Sequence, residues 1–74
     1  MQVQVKLFAF FRRGRFIEED WDLPIGTTAG KVVDNLDIAR EEVGVLMLNS
    51  RHCQFDTVLQ EGDTYAIFPV IGGG

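Results

Sequence analysis

The residues with the plainest chemical potential stand at the end of the chain, Gly72, Gly73 and Gly74. Glycine has no side chain to pack and loses about 0.5–1 kcal/mol more than alanine on ordering, so three in succession make a poor structural device. What they offer is a backbone thin enough to thread a narrow channel and bring a terminal carboxylate up against another protein's active site. The reactive group is then the Gly74 carboxylate itself. Chain ends also fray without any function. The preceding residues set this end apart, because the apolar run Tyr65-Ala66-Ile67-Phe68-Pro69-Val70-Ile71 leads straight into the glycines. A core strand over that run would anchor a tail and aim it outward, with the tail flexible over about residues 71–74.

No other constellation competes for the chemistry. A metal site needs several converging nitrogen or sulfur ligands, and the chain has one histidine and one cysteine. Those two, His52 and Cys53, are adjacent, so in a strand they point to opposite faces and cannot act as nucleophile and base. Cys53 reads as a small buried hydrophobe and His52 as a solvated side chain. No Ser-His-Asp set, Gly-x-x-x-x-Gly-Lys loop or dinucleotide fingerprint occurs, and the carboxylates fall in runs that read as exposed. The chain is therefore expected to be no enzyme by itself.

Length and composition bound what can position the tail. A chain of 74 residues makes one small domain over 1–74, which buries only about 60% of its unfolded surface and so depends on one compact core. With 46% apolar and 24% charged residues, the composition is globular. No apolar run reaches membrane-spanning length, and Met1-Gln2-Val3-Gln4-Val5-Lys6 lacks the basic region and cleavage site of a signal peptide, so a cytoplasmic protein with no membrane partner is expected. A single cysteine agrees with a reducing compartment. The net charge of −4 argues against nucleic acid, which calls for an excess of Lys and Arg.

Alternation from Met1 to Phe11 places Val3, Val5, Leu7 and Ala9 on one side of a strand, and Gln2, Gln4, Lys6, Phe8 and Phe10 on the other. The first set reads as the core face, leaving Phe8 and Phe10 on a face that something must cover. After the polar turn Arg12-Arg13-Gly14-Arg15, Phe16 to Leu23 reads as a second strand with Ile17, Trp21 and Leu23 on one face. The acidic residues Glu18, Glu19, Asp20 and Asp22 read as solvated edge protection, with docking to a basic partner as the alternative. Thr27-Thr28 offers a helix N-cap, and Ala29, Val32, Val33 and Leu36 form one apolar stripe, whereas Gly30 weakens the helix slightly. A single helical turn over residues 38–44, closed by Gly44, precedes a strand at Val45-Leu46-Met47-Leu48. A turn at Asn49-Ser50-Arg51, a short strand from His52 to Phe55 and a corner at Gln60-Glu61-Gly62-Asp63 lead to the last strand. This order predicts an α+β fold, a mixed sheet of four to five strands with one main helix across one face and the other face open, as in the ubiquitin-like β-grasp. Val5, Leu7, Trp21, Leu23, Val32, Val33, Leu36, Ile38 and Ile67 are its expected core.

Several words of the sequence, in this order, carry a resemblance: Val5-Lys6-Leu7-Phe8-Ala9, Gly26-Thr27-Thr28-Ala29-Gly30, the segment from Arg40 to Arg51, Leu59-Gln60-Glu61-Gly62-Asp63, and the glycine tail. Each is short, but their spacing over essentially the whole chain resembles the MoaD/ThiS sulfur-carrier family. The resemblance implies a C-terminal glycine that a ubiquitin-activating-type adenylyltransferase, MoeB/ThiF-like, adenylates with ATP. The glycyl adenylate is then converted to a thiocarboxylate. The chemistry is sensible: a carboxylate is a poor electrophile, adenylation supplies a leaving group, and the thiocarboxylate is a nucleophilic sulfur on a mobile arm. No bound cofactor is implied.

Within the family, the Phe-bearing first strand, the long first hairpin and Phe68-Pro69 resemble MoaD, the small subunit of molybdopterin synthase, whereas the closing triple glycine leans toward ThiS. Val70 stands where MoaD-type tails commonly carry a second proline, and Ser50 stands where glycine is usual. The MoaD resemblance implies docking to a MoaE-like large subunit through Phe8, Leu59 and Phe68. Phe10, Pro69 and Gly72 are added to that set as neighbours of the docked face and the tail, whereas Gly73 belongs with Gly74 to the reactive end. The alternatives are a carrier serving a thiazole synthase, as ThiS does, and a ubiquitin-like modifier joined to lysines through its C-terminus.

Overall fold

The computed structural model describes residues 1–71. Strands β1 (Gln2–Leu7) and β2 (Glu18–Asp22) pair antiparallel, with a 3₁₀ turn at Ala9–Arg12 between them. Helix α1 (Ala29–Asn35) follows, and a second 3₁₀ turn at Arg40–Glu42 leads into β3 (Val43–Leu48), β4 (Arg51–His52) and β5 (Thr64–Pro69). The five strands lie in the order β2-β1-β5-β3-β4, with β5 parallel to β1 and antiparallel to β3. With α1 packed on one face, this mixed sheet is the ubiquitin-like β-grasp expected from the sequence, with five strands.

The helix begins where the cap predicts. Thr28 is extended (φ −94°, ψ 161°), and its hydroxyl oxygen accepts from the Lys31 backbone N–H at 3.3 Å. Seven residues are too few for a helix that persists alone, so packing must hold it. Ala29, Val32 and Val33 are fully buried against Val3, Val5 and Leu7, the odd face of β1. Gly30, a weak helix former, has a packing reason to be there. Its N–H donates to the Phe55 carbonyl at 2.8 Å, and a Cβ would come within 2.6 Å of the Arg40 guanidinium. That guanidinium lies over the Phe55 ring and donates twice to Asp34, which holds the Asp34 carboxyl below its usual range.

Eight of the nine expected core residues are buried, and Trp21 is half-buried on the edge strand, its indole N–H donating to Glu19 at 2.8 Å. The core also includes residues not anticipated. Tyr65 is completely buried, its hydroxyl donating to the Ala29 carbonyl at 2.9 Å, and burial pushes its phenol far above the usual range, so it stays neutral.

Elsewhere the elements depart from the sequence reading. The first strand stops at Leu7 rather than Phe11, because Ala9 adopts a left-handed conformation (φ 51°) and opens the 3₁₀ turn. That turn breaks the alternation: Ala9 is exposed, and Phe11 swings into the core at 2% exposure. The second strand is shorter than Phe16 to Leu23, and Ile17, expected on its apolar face, is exposed before the strand begins. Gly44 does not close a helical turn but lies within β3, and the fourth strand is only Arg51–His52.

Leu36 closes the helical stripe at the C-cap, and deleting its side chain leaves a void beneath α1. Leu36→Ala is expected to cost about 2–5 kcal/mol, a large share of what a small domain has. Chemical denaturation of the variant should show a much lower midpoint, and an unchanged midpoint would place the stripe elsewhere.

Candidate functional site

Because side chains alternate along a strand, β5 serves both faces of the sheet. Tyr65, Ile67 and Pro69 turn toward α1 and are buried, and Ala66 and Phe68 turn to the face that α1 leaves uncovered. Register assigns the neighbours of that open face. Val45 pairs with Phe68, while Met47 pairs with Ala66 on one side and His52 on the other. Lys6 pairs with Ala66 from β1.

Phe8 continues this face just beyond β1, and its ring stacks on Phe68 at 4.2 Å between centroids, 13° from parallel. Such a pair contributes about 0.5–1.5 kcal/mol beyond the area it buries. Arg12 holds the stack from above: its Nε–H donates to the Leu7 carbonyl at 2.7 Å, and its guanidinium lies 5.1 Å from the centre of the Phe8 ring. An aromatic platform is thereby fixed at the end of the sheet where the tail departs.

Beside it lies an apolar cleft of about 710 Å³, lined by Gly44, Val45, Met47, His52, Phe68, Pro69, Val70 and Ile71. Val45, Val70 and Ile71 are exposed, so the chain leaves β5 as an apolar segment on the rim of an apolar hollow. The opposite border is acidic. Glu18, Asp20 and Asp22 pair with Lys6, Gln4 and Gln2, which puts three carboxylates on the same face along the edge strand. An edge strand carrying charge agrees with the protective reading of that run.

The expected site residues do not all meet here. Phe8 and Phe68 do. Phe10 lies in the 3₁₀ turn, edge-on to Phe11 at 5.2 Å and outside the stack, because the turn ends the alternation that had placed it beside Phe8. Leu59 is 1% exposed: its N–H donates to the Thr27 carbonyl at 2.9 Å, drawing the loop over the start of α1 and its side chain into the core. A side chain so buried cannot meet a partner. Pro69 turns toward the helix side and reaches only the rim of the cleft. Gly72, Gly73 and Gly74, with the flexibility expected of them, lie outside the described residues.

Val45, Met47, His52 and Val70 were missed as site residues. The signal was present for Val45 and Met47, which alternate along β3 in step with Phe68 and Ala66 once the register is known.

His52 is exposed and lines the cleft, whereas Cys53 is half-buried and packs against the core. Burial raises the Cys53 thiol above its ordinary value. Among the described residues no three His, Cys, Asp or Glu side chains are grouped to hold a metal ion, and no helix is long and apolar enough to cross a membrane. Since the thiolate is the reactive form, a raised pKa means less of it at neutral pH. Alkylation of Cys53 at pH 7.5 should therefore be slower than that of free cysteine and should keep accelerating to higher pH. A rate equal to that of free cysteine would contradict the buried assignment.

Known proteins share this fold. Residues 5–74 match the sequence model of the ThiS family. No curated protein matches the chain in sequence. Among solved structures, a putative molybdopterin converting factor subunit 1 from Pyrococcus furiosus superposes with a TM-score of 0.76 at 25% identity, covering 96% of this chain and 99% of that one. Small archaeal modifier protein 1 of Haloferax volcanii gives 0.75 at 20% identity, with 95% and 98% covered. Subunit 1 of the molybdopterin-converting factor from Helicobacter pylori, solved in complex with subunit 2, gives 0.67 at 17% identity, with 100% of both chains covered. The last two likenesses speak to the fold alone. With a family model matched over nearly its whole length and a β-grasp sheet to carry it, the chain belongs to the ThiS family of small ubiquitin-like sulfur carriers and modifiers.

Proposed function

We propose that this protein carries sulfur as a thiocarboxylate on Gly74 and delivers it to a MoaE-like large subunit for molybdopterin synthesis. The observation that carries the reading is the exit of an apolar segment, Val70 and Ile71, from a doubly paired strand beside the Phe8–Phe68 platform, immediately before the glycines. Such an exit suits a tail drawn into a partner's channel while the platform docks outside.

In the first step the Gly74 carboxylate attacks the α-phosphorus of ATP in a MoeB/ThiF-like adenylyltransferase, and pyrophosphate leaves. A sulfur nucleophile then displaces AMP from the acyl carbon. The carrier's own residues do none of this bond chemistry; they dock, orient and reach. The molybdopterin branch is favoured by the name of the 25%-identical Pyrococcus neighbour and by the Phe68-Pro69 root. Pairing of the Helicobacter neighbour with its subunit 2 supplies the analogy for a large-subunit partner. Two other readings have support of their own. The triple glycine and the family model favour a ThiS-like role with a thiazole synthase, and the modifier name of the Haloferax neighbour favours conjugation to lysines. All three share the adenylation step and a cytoplasmic setting.

The platform and the tail make separate demands. Phe8→Glu sets a charge into an aromatic stack without touching the helix-side core. It should abolish binding to the large subunit in a titration while circular dichroism stays unchanged, and wild-type affinity would remove Phe8 from the interface.

Deleting Gly74 leaves a glycine carboxylate of correct chemistry withdrawn by about 3.5 Å. That variant, like Gly73→Val, should greatly slow ATP–pyrophosphate exchange with the adenylyltransferase while melting is unaltered. Exchange at the full rate by the shortened chain would defeat the reading of the tail as a measured arm.

A further inference from the structure

The root of the tail rests on a contact that only glycine permits. Pairing of β3 with β5 is irregular at one place: Val43 lies opposite Pro69 and Val45 opposite Phe68, which leaves Gly44 as the extra residue of a bulge. A Cβ at Gly44 would sit 2.8 Å from the Pro69 carbonyl oxygen, 3.0 Å from the Pro69 carbonyl carbon and 3.0 Å from the Val70 nitrogen. All three are backbone atoms, so none can swing aside like the end of a side chain. One residue before β3, the Glu42 carbonyl accepts the Val70 N–H at 2.9 Å, the last backbone hydrogen bond toward the C-terminus among the described residues.

The other glycines among the described residues behave differently. Gly14, Gly26 and Gly62 have open space where a Cβ would stand and serve turns with positive φ, and the closest neighbour of Gly30 is a guanidinium. Gly44 alone among these packs against the rigid backbone from which the tail departs.

We propose that Gly44 is a positioning residue for sulfur loading: by letting β3 close onto Pro69 and Val70, it sets the direction in which the chain leaves the sheet. The geometry stands by itself, and its consequence rests on the sulfur-carrier reading. When the Phe8–Phe68 platform is docked and the tail is drawn extended into a channel, the docked sheet fixes the root and the position of the carboxylate follows from the direction of exit. Five residues follow Pro69 to the end at Gly74, a reach of about 17 Å when extended, so a rotation of about 5° at the root moves the carboxylate by about 1.5 Å. Misplacement on that scale costs on the order of 10²-fold in rate at a reacting centre.

The test compares wild type, Gly44→Ala and Leu36→Ala, the last destabilising the core far from the tail root. The full chain is examined by amide hydrogen exchange, by titration against its MoeB/ThiF-like adenylyltransferase, and by ATP–pyrophosphate exchange at saturating carrier. In a Gly44→Ala protein with wild-type circular dichroism, protection of the Val70 amide should be lost. Its Kd should stay within about threefold of wild type, and kcat should fall at least about tenfold. Leu36→Ala should keep both kcat and Val70 protection relative to its own global stability.

Wild-type kcat in Gly44→Ala, a rate loss explained by Kd alone, or failure of that variant to fold would each overturn the assignment. If wild type itself supports no exchange, the carrier reading fails instead. The Val70 amide then decides whether Gly44 sets the tail root.

Discussion

The strand β5 has a hydrogen-bonded neighbour on each side, parallel β1 and antiparallel β3, and the rest of the molecule depends on that double pairing. A strand in the middle of a sheet cannot slip by one residue without turning every side chain to the wrong face. Here Tyr65 and Ile67 must point to α1, and Tyr65 is further tied to the Ala29 carbonyl at the start of the helix. The register of β5 is therefore fixed by the core. With it is fixed the place where Pro69 ends the strand and Val70 begins the exit.

From that constraint follows the division between the two faces. The helix-side face is filled by aliphatic residues with Phe11 and Tyr65, and it supplies the stability of a domain too small for a second core. The open face is free to be specific: across the sheet it carries an apolar cleft beside β3 and β4, a fixed aromatic pair at β5 and β1, and an acidic border on β2. On the proposed sulfur-carrier function, in which the reactive group is the terminal carboxylate, the side chains have only to dock the chain and aim its end at a partner, and a face made of packing and register rather than of acids and bases suits that role.

Much of this was legible in the residues. The cap at Thr28 and the stripe through Ala29, Val32, Val33 and Leu36 named the helix, because capping and 3.6-residue periodicity are local signals. Alternation in the first strand placed Phe8 on the open face. The failures were failures of range. Nothing in Ala9-Phe10-Phe11 announces a left-handed alanine, and the strand pattern was carried on through a turn that buries Phe11 and diverts Phe10. Leu59, on a loop, was assigned by resemblance to the docking surface, whereas its backbone bond to Thr27 draws it inside. The bulge at Gly44 exists only through pairing between strands roughly 25 residues apart, a kind of contact that local pattern does not reveal.

The central claim is that Gly74 carries sulfur, and the intact mass of the protein purified from its own cells under reducing conditions tests it most directly. The account predicts a fraction of the chain heavier by about 16 Da, one oxygen exchanged for sulfur, with fragmentation placing the gain on the C-terminal glycine. A chain found only unmodified, or only in isopeptide linkage to lysines of other proteins, would contradict it.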